Sequence, residues 1–241
     1  MSIQDLKEQC YLGNRALHDR GLIDLTFGNA SCIDRDLGLV AIKPSGVPYE
    51  DLTIDSMVLV DLNTGLSKKE ELKPSSDTPT HLALYRKFPF IGGITHSHSK
   101  FATSFAQAGT AVPCMGTTHA DYFSSNIPIT RAMTEKEIKG EYELETGNVI
   151  IEALTGFNPL HHPGILVASH GPFSWGRNVS EAVENANALE IICQLAYQTL
   201  QINHQTKGIN HTLHHRHFKR KHGRDAYYGQ NMTGEDSLDL G

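Results

Sequence analysis

Short apolar runs closed by glycine or a turn alternate with segments of helical period along the whole chain. That interleaving restricts the possible folds more than any other feature. Residues 2–20, SIQDLKEQCYLGNRALHDR, form a charged amphipathic helix pattern. LIDLTFGNASCID (22–34) and GLVAIKPSG (38–46) read as strands broken by glycine turns, and SMVLVDLNTG (56–65) as a strand entering an Asn-Thr-Gly turn. A helix starts near SSDTPTHLALYRKF (75–88), with Ser or Asp as N-cap and Pro79 in the first turn. GGITHSH (92–98) reads as a strand leading into another helix, and GILVASHG (164–171) as a strand. GNVIIEAL (147–154) is apolar enough for either type, and a long helix is expected from Ser180 to about Leu200. Mixed throughout in this way, the elements imply an α/β layer architecture. A single domain is expected over residues 1–230, followed by an acidic, apolar-poor tail at 231–241 that reads as disordered.

With 241 residues, 39% of them hydrophobic, the chain is long enough for one sizeable core. A net charge of −6 argues against nucleic acid as the main partner. No apolar run approaches the length of a membrane helix, and the N-terminus is not patterned as a secretion signal. Cys10, Cys32, Cys114 and Cys193 lie far apart with no CxxC pair, so they read as reduced thiols and the expected location is cytoplasmic. HTLHHRHFKRKHGR (211–224) is a dense basic exception. It reads as a solvated helix face, from which one or two residues could reach an anionic substrate.

His96 and His98 sit one residue apart behind the apolar run FIGGI. On a strand, residues two apart project from the same face, so both imidazoles could share one divalent ion. An HxH pair alone is weak, because fourteen histidines are available for chance clustering. His170 adds weight: it ends the apolar run GILVAS and precedes Gly171. Three neutral imidazoles leave one coordination position open, which is the pattern of a Lewis-acid catalytic zinc. Asp77 reads either as a helix N-cap or as a carboxylate fourth ligand. His81, His119, His161 and His162 are rival ligands.

Three short polar stretches suit an anion. FGNAS (27–31) offers Gly28 and Asn29; KPSG (43–46) offers Lys43, Ser45 and Gly46; PSSD (74–77) sets Ser75 and Ser76 at a helix N-terminus. Each alone is an ordinary turn composition. Neither GxGxxG nor GxxxxGK(S/T) occurs, which disfavours a dinucleotide or a nucleoside triphosphate and leaves a small sugar phosphate as the better match.

Taken together, FGNAS, IKPSGV, KPSSDTPTH, GGITHSHS, GTTHADYF, GEYELETGNVI, SHGPFSWG and RKHGRDAYYGQ resemble the class II aldolase/adducin family, on the side of its sugar-phosphate 4-epimerases. The resemblance runs from about Asp5 to Gln230. It implies a three-layer α/β/α fold around a mostly antiparallel sheet, and a homotetramer with active sites at subunit interfaces. It implies zinc on His96, His98 and His170 with Asp77 as a nearby ligand, and substrate phosphate among Gly28, Asn29, Ser45, Gly46, Ser75 and Ser76, with Lys43 close by. Asp121 and Tyr228 carry over as the acid/base pair, the tyrosine coming from a neighbouring subunit. Tyr227 is a rival for its role, and His217 and Arg220 are further candidates for the pocket.

The activity implied is interconversion of L-ribulose 5-phosphate and D-xylulose 5-phosphate. The C4 hydrogen of a 2-ketose is not acidic, so inversion at C4 needs either transient oxidation or cleavage and remaking of the C3–C4 bond. Cleavage fits a metal site with a phosphate cradle. The rivals are a family aldolase, in which a glutamate generally stands at the position of Asp77, and an adducin-like interaction module without the metal chemistry.

Overall fold

A computed structural model describes residues 1–67, 72–223 and 226–227. Its strands are β1 Asn29–Asp34, β2 Leu39–Ile42, β3 Val58–Asp61, β4 Gly93–His96, β5 Gly164–Val167 and β6 Gly171–Gly176. Its helices are α1 Ile3–Asp19, α2 Thr78–Lys87, α3 Lys100–Gln107, α4 Thr117–Ala120, α5 Glu135–Lys139, α6 Tyr142–Ala153, α7 Val179–Ile202 and α8 His211–His222. The strands form one sheet in the order β3–β2–β1–β4–β6–β5, and every neighbouring pair is antiparallel.

Strand alternation sorts the core into layers. Leu39 and Ala41 of β2 face the cluster built with Leu6, Cys10 and Leu17 of α1 and Val179 and Val183 of α7. Val40 and Ile42 face the other way, onto Leu82, Leu84 and Tyr85 of α2 and Ile150 of α6. Leu166 of β5 joins α3 and the later turns of α7 in a third cluster. The result is helices on both faces of the sheet, so the expected three-layer α/β/α architecture is present. Because both faces are covered, strands such as VLV and GILV read as continuous apolar runs.

Local signals hold the element ends. Ser2 and Asp5 form a capping box on α1, and the Asn178 side chain caps α7 by accepting from the Glu181 N–H. Both margins of the sheet are flanked by irregular chain: Ile129 bridges Leu166 alongside β5, and Ser67 pairs with Val60 alongside β3. Among the described residues, no helix is long and apolar enough to cross a membrane.

Three local expectations are corrected. Residues 22–28 are not strand; Leu25 and Gly28 take φ of 57° and 80°, which breaks the extended run before β1 starts at Asn29. GNVIIEAL, open to either type in the sequence, is helix α6 as far as Ala153, apolar on several sides because it is packed against α2 and the sheet. His98 lies past the end of β4, and His170 sits in the three-residue turn 168–170 of the β5–β6 hairpin. The 231–241 tail, Arg224 and Tyr228 lie outside the described residues.

Candidate active site

β4 delivers His96 at its end, the extended link to α3 delivers His98, and the β5–β6 turn delivers His170. One nitrogen from each of the three rings lies within 4.8 Å of the others, and no other group of this kind occurs among the described residues. His96 Nδ1 faces the Pro172 carbonyl at 3.0 Å, so as the N–H tautomer it donates there and turns its Nε2 lone pair inward. His96 Nε2 and His98 Nε2 stand 3.2 Å apart. Two nitrogens bound tetrahedrally at about 2.0–2.1 Å to one zinc would be separated by about 3.3 Å. Buried His170 Nδ1 has no hydrogen-bond partner. Burial, with repulsion from His96 and His98, pushes the His170 pKa down to about 4, and burial with His96 lowers that of His98. These shifts favour the neutral form of His98 and His170, the form that ligation requires. Geometry and tautomer both fit a divalent ion.

The frame around the histidines is tight. Phe173 of β6 stacks on His96 with ring centroids 4.2 Å apart and 17° between planes. Glu190 of α7 accepts from the Phe101 and Ala102 N–H groups, both at 2.9 Å, which clamps the first turn of α3 just after His98. A Cβ on Gly28 would lie 2.6 Å from the His96 carbonyl oxygen, so the chain can pass there only as glycine.

The three polar stretches come to the same place. Ser45 N donates to the Lys73 carbonyl and Ser75 N to the Lys43 carbonyl, each at 2.9 Å, lacing KPSG to PSSD. Asn29 Nδ2 then donates to Ser75 Oγ at 3.0 Å and to Asp77 Oδ2 at 2.6 Å, tying in FGNAS. The outcome is a cleft of about 400 Å3 lined by Gly28, Asn29, Lys43, Ser45, Gly46, Ser75, Ser76 and Asp77 on one side and by the three histidines on the other. A larger cleft of about 760 Å3 lies elsewhere and is mainly apolar. Its arginine, Arg131, is already paired with Glu137 and Glu152.

Several residues behave differently from their simplest reading. Asp77 occupies the N-cap position of α2 but makes no side-chain cap; its carboxylate turns to Asn29 and is not among the clustered ligand atoms. Burial penalises its charge, yet the fields of His96 and His81 and the Asn29 hydrogen bond outweigh this and hold its pKa below the ordinary carboxylate value. Lys43 is only 2% exposed, and its Nζ donates to the Val47 carbonyl at 2.7 Å, supporting the KPSG turn from beneath. Burial pushes its pKa down to about 8.

The rival histidines stay out of the cluster. His81 is fully buried and meets Ser31 Oγ at 2.7 Å; His119 meets the Ser125 carbonyl, His162 the Ser125 hydroxyl, and His161 packs on Phe218. Asp121 does not line the cleft. It ends α4, where Arg220 of α8 grips it with two hydrogen bonds of 3.0 and 2.7 Å and His217 adds a third contact at 3.1 Å. Among the lining residues that sequence reasoning missed are Phe27, Tyr142 and Glu143. The latter two reach the cleft because α6 packs on α2, where Thr80 Oγ1 donates to the Glu143 carbonyl.

The sequence profile of the class II aldolase and adducin N-terminal domain matches residues 8–197. This chain belongs to the class II aldolase and adducin family. Solved structures repeat the family fold. An L-fuculose 1-phosphate aldolase superposes with a TM-score of 0.77 at 21% identity, covering 91% of this chain and 97% of that one. YgbL of Klebsiella pneumoniae, a candidate aldolase/epimerase/decarboxylase, gives 0.71 at 23% identity, covering 90% and 99%. The L-fuculose-1-phosphate aldolase of Thermus thermophilus gives 0.65 at 20% identity, covering 85% and 98%. At these identities the structural likeness speaks for the family's fold alone.

Proposed function

We propose that this family member is a zinc-dependent L-ribulose-5-phosphate 4-epimerase, cytoplasmic and homotetrameric. The observation that carries the reading is three clustered imidazoles and a laced polar cradle sharing one small cleft. A non-catalytic interaction module would have no use for that pairing.

On this reading Asn29, Ser45, Gly46, Ser75 and Ser76 bind the substrate phosphate through hydroxyl, amide and backbone N–H donors near the start of α2. Lys43 keeps the cradle's floor in place through its own carbonyl contacts. His96, His98 and His170, with Asp77 in reserve, hold the cation. When bound, the cation supplies positive charge that stabilises the enediolate left on C2 and C3 after the C3–C4 bond breaks. Asp121 and Tyr228 take and return the proton on the C4 oxygen from opposite sides. In the single chain Asp121 is held at α8, away from the cleft lining; on this reading it reaches the substrate, as Tyr228 does, from a neighbouring subunit of the proposed tetramer.

A second reading, an aldolase that lets both fragments go, draws support from the likeness to L-fuculose 1-phosphate aldolases. One assay separates the two: zinc-loaded protein with L-ribulose 5-phosphate. D-xylulose 5-phosphate as the main product is expected. Glycolaldehyde phosphate and dihydroxyacetone in bulk would replace the epimerase reading with the aldolase one.

A further inference from the structure

Two aromatic rings in the cleft have no part in the core. Phe27 is 48% exposed, yet it stacks on His98 with centroids 5.6 Å apart and 23° between planes. Tyr142 stands 6.2 Å from the His170 ring at 35°. Both line the cleft, and each flanks a different imidazole of the cluster. Their backbones are fixed. Phe27 precedes Gly28, whose carbonyl accepts from Tyr49 Oη at 2.9 Å and whose Cα has no room for a side chain. Tyr142 is the first residue of α6, and its carbonyl accepts from Thr146 Oγ1 at 2.9 Å.

Such rings matter for the chemistry proposed above, on which this inference rests. When C3–C4 breaks, C3 keeps the electron pair, the C4 hydroxyl gives its proton to the base, and C4 becomes the carbonyl carbon of glycolaldehyde phosphate. Inversion requires that aldehyde to turn its other face to C3, accept the pair and take a proton on oxygen. If it leaves first, C3 takes a proton instead and dihydroxyacetone is released. The phosphate cradle tethers one end of a two-carbon fragment and leaves the carbonyl end free to swing. Flat apolar faces beside the histidines exclude water and let the fragment turn without hydrogen bonds to break.

We propose that Phe27 and Tyr142 are specificity-determining walls that retain the aldehyde phosphate between cleavage and re-addition, and thereby set the ratio of epimerisation to fragment release. The test uses the zinc-loaded full chain and its Phe27→Ala, Phe27→Leu and Tyr142→Ala variants. Dihydroxyacetone released per D-xylulose 5-phosphate formed should rise about tenfold in the alanine variants and less in Phe27→Leu. An unchanged ratio overturns the proposal, even if kcat falls. Calorimetry with 2-phosphoglycolate, a stable mimic of the two-carbon fragment, gives a readout without turnover. The alanine variants should bind it about tenfold more weakly while inorganic phosphate binds as in the parent. If the parent protein forms no D-xylulose 5-phosphate, the epimerase reading fails. The walls are then judged by calorimetry alone: selective weakening supports them, and equal binding of 2-phosphoglycolate overturns them.

Discussion

Single atoms decide how much of the cleft survives a substitution. Gly28→Ala adds a Cβ 2.6 Å from the His96 carbonyl oxygen at a φ of 80°, so stability should drop by more than about 1 kcal/mol, read as a lower urea midpoint. Zinc affinity should fall with it, because the displaced carbonyl belongs to a candidate ligand. His96→Ala or His98→Ala should lose stoichiometric zinc and all turnover while the fold persists; zinc retained at full occupancy would remove that ligand assignment. Asn29→Ala removes the donor shared by Ser75 and Asp77, and should raise KM for the phosphorylated substrate several-fold with zinc content unchanged. The histidine pair was visible in the sequence because only Ser97 separates the two residues. The same-face reason for it was not right, since β4 stops at His96 and the link to α3 aims His98. Lys43 reads as an obvious phosphate partner until burial and the Val47 carbonyl show where its ammonium is used.

Elements carry these residues, and their ends are where the sequence was most and least informative. The start of α2 was legible from its Ser/Asp and Pro79, since caps are local chemistry, while α1 and α7 were placed by their patterns and their Ser2 and Asn178 caps emerge only in the structure. Helix α6 was ambiguous because its apolar residues serve two neighbours at once, and no local pattern in GEYELETG reveals that packing on α2 brings Tyr142 and Glu143 to the cleft. Glu190 is another long-range device. Glu190→Ala would leave two first-turn amides of α3 uncapped, at a cost of about 1 kcal/mol, and should loosen zinc through His98; a zinc titration and a denaturation curve together check it. Helix α8 is fastened to α4 chiefly through Asp121. Burial works against that charge, but the Arg220 and His217 hydrogen bonds more than offset it, so the folded-state pKa lies below the unfolded one. The stabilisation is thus present above the ordinary carboxylate range and disappears as pH falls through the lowered value. Backbone NMR signals of α8 should keep their folded positions to below the usual aspartate pKa, and Asp121→Asn should release them at neutral pH.

At the scale of the whole molecule, the layer order was legible because covered strands and amphipathic helices leave coarse marks, whereas the meeting of FGNAS, KPSG and PSSD in one cleft depends on four backbone and side-chain contacts no window of sequence contains. The pH behaviour of the metal centre is also collective: burial and repulsion from neighbouring rings push the His170 pKa down to about 4 and lower that of His98. His170 therefore stays neutral well below the ordinary histidine pKa of about 6.5, and zinc uptake by the metal-free protein, read by metal analysis, should fail as pH approaches ~4. If Asp121 and Tyr228 act across a subunit boundary, dilution to monomers should abolish turnover and leave zinc in place, as sedimentation and metal analysis would show. The two sheltered margins of the sheet constrain how copies could assemble. With Ile129 beside one outer strand and Ser67 beside the other, the described residues offer little open edge to template a further chain. Subunits would then meet through side chains on helices and loops, a kind of contact that can part and re-form without disturbing the ladder that holds the histidines.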